Sequence, residues 1–233
     1  MPSSWNKGKT KETNASVRKI SETMKERKID NFSAWRKNAR ASGTIATPQE
    51  LVKNGNLAEL IGMILGDGSI HIYDRTEGVR IVLPTKKPGM IERYTDLVET
   101  VFGKKPSVIK RKNSECVDIR LYQKSLSQRL GIPAGARGNM EHQVPKWIVQ
   151  KQDFVIRYLR GLYEAEGCFC THLPTSTYKL IFSNVNPSLL NIVAILLAGL
   201  GFHPHMTRRD VQLSRKEEVY RAMEVLQFGK YKK

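Results

Sequence analysis

Apolar residues recur at helical spacing in the stretch Leu57–Ile70, LAELIGMILGDGSI, where Leu57, Leu60, Ile61, Ile64 and Leu65 stand at i, i+3, i+4, i+7 and i+8. The pattern predicts a helix with Asp67 at its C-terminal end. Strand candidates follow at Ser69–Tyr73 and Val79–Leu83, rich in β-branched and aromatic residues and split by a turn-like DRTEG. Met90–Phe102 reads as an amphipathic helix stopping at Gly103. Ser107–Lys112 and Val117–Tyr122 predict a second hairpin, and Ser125–Leu130 a short helix. In Val117–Tyr122 the alternation puts Val117, Ile119 and Leu121 on one side and Asp118, Arg120 and Tyr122 on the other.

The same order returns a hundred residues later. Residues 144–148, VPKWI, lead into a helix from near Asp153, then strands at Cys168–Leu173 and Tyr178–Phe182, and an apolar helix from Pro187 to Gly199. A hairpin of His203–Arg209 and Val211–Ser214 and a helix at Glu217–Leu226 close the chain. The LRGLYEAEG that ends the Asp153 helix lies over LIGMILGDG without a gap: Gly62 matches Gly161, Gly66 matches Ala165, Asp67 matches Glu166 and Gly68 matches Gly167. Two glycines four apart are costly in an isolated helix, and small residues at that spacing are expected where a second backbone comes close. The two copies supply each other with that partner. The expected fold is therefore α+β, with two pseudo-symmetric αββαββα halves at 47–143 and 144–233, each a four-stranded antiparallel sheet covered by helices.

Charge narrows the class of partner. The 233-residue chain carries a formal +17, which points to a polyanion, either nucleic acid or an acidic membrane surface. No apolar run approaches the ~20 residues of a membrane-spanning helix, and the basic N-terminus has no secretory apolar segment, so nucleic acid and an intracellular location are expected. Residues 1–45 hold eleven Lys or Arg against four Asp or Glu. Within them a short basic helix is expected after Ser16 as its cap, with Val17, Ile20 and Met24 as a thin apolar stripe, and a second at Ser33–Ala41. Gly43–Pro48 reads as a linker, so 1–46 is taken as a separate extension. The three cysteines, Cys116, Cys168 and Cys170, have no CxxC spacing and are read as reduced thiols, with packing favoured over a zinc pair at Cys168 and Cys170.

The duplicated small-xxx-small-acid-Gly stretch resembles the signature helix of the LAGLIDADG homing endonucleases, in their single-chain form with two motifs. It departs from the signature at the first acid of copy one, where Leu65 stands, while Glu164 keeps that acid in copy two. The resemblance implies a saddle over DNA with the two helices at a pseudo-twofold axis. It implies two or three Mg²⁺ ions at their ends, held at Asp67 and Glu166 with Gly66 and Ala165 in the metal site, and a staggered double-strand cut in a long target. It also implies a basic helper beside the metals: Lys86 in the first half, and in the second the Asn184-Val185-Asn186 turn, where Val185 falls near the place of a family lysine. The N-terminal extension is similar to the modular DNA-binding motifs appended to homing nucleases, with Arg18, Lys19 and Lys25 on its basic helix.

The residues themselves support that chemistry. Hard divalent cations take carboxylate oxygens, and Mg²⁺ keeps waters that can attack a phosphodiester. The polar sheet faces offer His71, Tyr73, Arg80, Lys110, Lys112, Arg120, Tyr122, Lys179, Arg208 and Gln212 for phosphates and base edges, provided the strand register is as read. The expected protein is a monomeric, Mg²⁺-dependent, site-specific endonuclease on double-stranded DNA, intron-encoded or free-standing. It would sit in a prokaryotic cytoplasm and nucleoid or in an organelle. The alternative is a protein of the same fold without cleavage, an intron maturase acting on its own intron RNA or a DNA-binding regulator.

Overall fold

Residues 5–30, 32–42 and 50–231 are described in the computed structural model, which falls into two units, Met1–Gln49 and Glu50–Lys233. In the first unit, α1 (Ala15–Glu26) and α2 (Ser33–Ala41) are the helices. Ser16 does not cap α1 as expected. Asn14 does, its side-chain oxygen accepting from the backbone N–H groups of Ser16 and Val17, because a short amide acceptor just before the first turn satisfies donors that have no partner within the helix. The expected linker at 43–48 lies outside the described residues.

The second unit is built on two facing helices, α3 (Gly55–Gly66) and α7 (Gln152–Glu166). Their glycines allow this. A methyl group on Gly62 would lie 2.3 Å from the Tyr158 carbonyl oxygen, and one on Gly161 would lie 2.0 Å from that of Glu59. The entropic cost of helical glycine is repaid by backbone-to-backbone approach that no side chain permits. Leu60, Met63, Ile64, Leu159, Leu162 and Tyr163 are sealed from solvent around the contact. Glu59, fully buried, fastens three helices: Arg93 on α4 (Pro88–Phe102) donates two hydrogen bonds to it, and Arg157 and Arg160 of α7 approach it from the other side.

Each helix feeds a sheet. After α3 come β1 (Gly68–Tyr73), β2 (Thr76–Pro84), α4, β3 (Ser107–Lys110), β4 (Cys116–Gln123) and α5 (Leu126–Leu130), with strand order β1-β2-β4-β3. A short α6 (Lys146–Val149) precedes α7. Then follow β5 (Gly167–His172), β6 (Thr177–Ser183), α8 (Pro187–Gly199), β7 (His205–Met206), β8 (Asp210–Leu213) and α9 (Lys216–Leu226), in the order β5-β6-β8-β7. All pairings are antiparallel. Each half is thus α, two strands, α, two strands, α.

The differences from the expected elements are local. Only Asp74 and Arg75 form the first turn, since Thr76, Glu77 and Gly78 pair with Tyr73, Ile72 and His71 and extend β2. The strand β7 has two residues, because the chain turns at Arg208 and Arg209 and the Thr207 N–H donates to the Asp210 carbonyl. Helices cover one side of each sheet, where Ile70, Val79, Ile81, Ile119 and Leu121 in the first half and Leu180, Phe182, Val211 and Leu213 in the second are buried. Among the described residues of this second unit, the opposite faces carry no helix.

Candidate functional site

Asp67 caps α3 and Glu166 is the last residue of α7, so the packing of the two helices brings the acids together. Directly before them Gly66 and Ala165 abut, since a methyl on Gly66 would lie 2.4 Å from the Ala165 Cβ and 3.2 Å from the Glu166 Cγ. Gly68 and Gly167 then turn the chain back across their own helices, where a side chain would meet Ile64 or Tyr163 backbone atoms. The motif therefore reads as two contact residues, a carboxylate and a tight exit, in each copy.

The carboxyl groups are half-buried and crowded. Burial, and then the charge of Glu166, push Asp67 up to about 7, against a smaller opposing pull from Lys87. Burial also raises Glu166. Both sit at negative helix ends, which adds to the cost of ionising them. A divalent ion between the two would lower that cost, because carboxylate oxygens are the donors a hard cation takes. Among the described residues no three His, Cys, Asp or Glu side chains cluster into a closed cage. Two carboxylates, with further positions left to water and substrate phosphate, are the donor set that suits Mg²⁺.

The lysine whose charge acts on Asp67 is Lys87, at the N-cap of α4, whereas Lys86 was expected from the sequence. Lys86 stands directly before Lys87 in the same turn and is likewise exposed. In the second half the matching turn offers Asn184, whose side-chain amide lies 3.5 Å from a Glu166 oxygen, while Val185 points into solvent at 78% exposure. Asn186 instead holds the chain between the halves, donating to the Arg137 and Met140 carbonyls and capping α8.

Arg137 went unnoticed in the sequence. From the connection between the halves its guanidinium donates to the Ile64 and Gly68 carbonyls at 2.8 and 2.7 Å, bracketing Asp67 and capping the end of α3. Its other terminal nitrogen is buried without a hydrogen-bond partner. No periodic pattern marks such a residue, because the contact spans about seventy positions of irregular chain. Glu164, the acid retained from the signature, is buried and holds the chain's C-terminal stretch, accepting from the Gly229 N–H and the Tyr231 hydroxyl.

On the open face of the first sheet His71, Tyr73, Arg80, Arg120 and Tyr122 come together as expected. They line a notch of about 190 Å³ over Gly78. Tyr73 and Tyr122 flank it with ring centroids 5.8 Å apart. Lys110 does not join them. It pairs with Val117, so it belongs to the helix side of the sheet at its exposed edge, and Ile109 takes the open face opposite Asp118. The Val117–Leu121 alternation was right, but the register between strands cannot be read from one strand alone. Lys112 lies in the turn beyond β3. Asp118 faces the open side yet is fully buried, covered by Arg111 and Arg120.

The second open face is less basic. Lys179 and Gln212 lie on it beside Cys168 and Cys170, free thiols that project from alternate positions of β5. Arg208 sits at the β7–β8 turn rather than on the sheet. In the first unit Lys19 and Lys25 are exposed, whereas Arg18 folds back to donate to the Lys11 and Glu12 carbonyls and braces the start of α1. No helix among the described residues is long and apolar enough to cross a membrane.

Comparison with known proteins agrees with this architecture. Residues 153–230 match the model of the LAGLIDADG-like domain. No curated protein sequence matches the chain. A solved structure of variants of the homing endonuclease I-DmoI is 18% identical with a TM-score of 0.51, covering 74% of this chain and 94% of its own. I-DmoI in complex with DNA and Mn gives the same identity and score, over 75% of this chain and 97% of its own. The N-terminal LAGLIDADG domain of DUF199/WhiA is also similar, 14% identical with a TM-score of 0.51, covering 75% of this chain and 82% of its own. Residues 153–230 thus resemble a LAGLIDADG-like domain, and the two-sheet unit as a whole has the α+β fold seen in the homing endonuclease I-DmoI.

Proposed function

We propose that this chain is a site-specific DNA endonuclease that uses divalent cations, with Mg²⁺ as the working ion, to cut both strands of a long duplex target. One observation carries the reading: two crowded, half-buried carboxylates, Asp67 and Glu166, meet at the ends of paired helices, each helix leading into a sheet with an uncovered face. Asp67 and Glu166 would hold the cations, two or three in number. Bound there, Mg²⁺ supplies a water of lowered pKa and neutralises charge on a scissile phosphate. The chain's own residues do the rest. Arg137 fixes the turn that presents Asp67, Lys87 adds positive charge beside it, and Asn184 approaches Glu166. The arginines and tyrosines of the first open face, with Lys179 and Gln212 of the second, take phosphates and base edges. In the first unit Lys19 and Lys25 on α1 add phosphate contacts that carry no sequence information.

A second reading, binding without efficient cleavage, as in a maturase on its own intron RNA or a regulator, has one observation behind it. At the matching turn of the second half stand Asn184 and the exposed Val185 rather than a lysine. Selection from a randomised duplex library, followed by incubation of the selected site with Mg²⁺, separates the two. Endonuclease function requires cut product with both strands broken. A selected site that stays intact supports the second reading.

A further inference from the structure

The first open face contains a residue that a purely electrostatic surface would exclude. Asp118 stands in the middle of β4 on the open side, among Arg80, Arg111 and Arg120, and is fully buried. One of its oxygens accepts from Arg111 Nε at 2.6 Å, and the other accepts from Arg120 Nε at 3.2 Å and from a terminal Arg120 nitrogen at 2.5 Å. Attraction of phosphates alone is better served without it, because the carboxylate cancels one positive charge where a polyanion is to bind. Its gain is geometric. A guanidinium held along its Nε side keeps its outer edge for a ligand: Arg111 has both terminal nitrogens there, and Arg120 has one terminal nitrogen and the remaining hydrogen of the other. That two-pronged edge matches the O6 and N7 acceptors of guanine in a major groove. Both arginines remain about one-third exposed, so their outer edges are open to a ligand.

We propose that Asp118 is a positioning residue for sequence readout, holding Arg111 and Arg120 so that their free edges each take a guanine of the target. The proposal rests on the DNA reading of the open faces. It makes two effects of one substitution run in opposite directions. In Asp118→Asn the arginines lose their anchor while the face gains a positive charge, so discrimination falls and sequence-independent binding strengthens.

The test is site selection from a randomised duplex library by the full chain, with binding to an unrelated duplex measured over a range of salt. Wild type is compared with Asp118→Asn, Arg120→Lys, the double variant and Asp118→Glu, each checked by thermal melting. The expected result is a loss of about tenfold in preference for guanine, confined to one or two positions, in both Asp118→Asn and Arg120→Lys. The double variant should lose no more at the Arg120 position than either alone, because the two act as one unit. Binding to the unrelated duplex should hold or tighten in Asp118→Asn, and Asp118→Glu should recover part of the preference. Should Asp118→Asn unfold, Arg120→Lys and Asp118→Glu still decide the matter by their guanine positions. Wild-type preference in Asp118→Asn, or an even loss across the whole site, overturns the proposal. A wild type that selects no site at all overturns the DNA reading beneath it.

Discussion

Replacing Asp67 with Asn removes a carboxylate from the centre of the proposed site and should make the metal-free protein more stable at alkaline pH. In the folded protein burial and Glu166 raise this group to about 7 from 3.8. The folded state therefore holds the proton more tightly than the unfolded chain does. Stability from this group is gained as pH falls through 7, is complete below 3.8, and is lost above 7, where ionisation must occur in a crowded, half-buried place. A gap of about three pH units at ~1.4 kcal/mol each sets an upper bound of ~4 kcal/mol. Since the carboxyl is only half-buried, screening reduces this to ~2 kcal/mol. Asn has the same shape without the charge, so Asp67→Asn should raise Tm in chelator at pH 8 by ~4–8 °C. Near pH 4 the two proteins should melt within a degree or two of each other. General repulsion acts the other way, because losing a negative charge from a chain of +17 lowers stability, so a rise isolates the local effect. Melting curves by circular dichroism at both pH values, with and without Mg²⁺, read this directly. Mg²⁺ should raise the wild-type Tm and leave Asp67→Asn unmoved. A lower Tm for Asp67→Asn at pH 8, or equal gains at both pH values, would mean that the Asp67 charge does not destabilise the folded protein.

Other perturbations have equally definite outcomes. Gly161→Ala drives a methyl to within 2.0 Å of the Glu59 carbonyl, so the helices must part. A loss of ~1–3 kcal/mol in urea unfolding is expected, and an unchanged midpoint would contradict the packing. Glu59→Gln strips the charge that Arg93, Arg157 and Arg160 share. Leaving the buried Arg160 and the partly buried Arg93 and Arg157 without their shared carboxylate should cost ~2–4 kcal/mol, beyond any surface ion pair. Arg137→Met breaks two charge-assisted bonds to the end of α3 and should cost ~1.5–3 kcal/mol. In hydrogen exchange the loss should appear first at the Asp67 amide, which donates to the Met63 carbonyl. Substituting Lys19 and Lys25 together by Gln should weaken binding to all duplexes alike and lower the salt slope by about two.

The duplicated helix was the most legible part of the sequence, because its periodicity, small-residue spacing and trailing acid each had a physical reason that the fold bears out. Gly62 and Gly161 are helical because two backbones meet there, and the meeting is what brings Asp67 and Glu166 together. Strands and helices of both halves were readable for the same reason, since local alternation decides them. What failed was decided at a distance. Lys110 left the open face through a register set by β4, and Arg137 reached α3 from an irregular connection. Asp118 was given the right side, but its burial under Arg111 and Arg120 depends on a neighbouring strand end. Asn14 displaced Ser16 as a cap because either residue type suits that role and only the backbone path chooses.

The most direct test of the central claim compares wild type, Asp67→Asn and Glu166→Gln on the duplex site that the wild type selects, scoring binding in Ca²⁺ and strand breakage in Mg²⁺. All three should bind the site, and only the wild type should break both strands. A wild type that binds and never cuts, or an Asp67→Asn and a Glu166→Gln that each cut at wild-type rate, would contradict the claim.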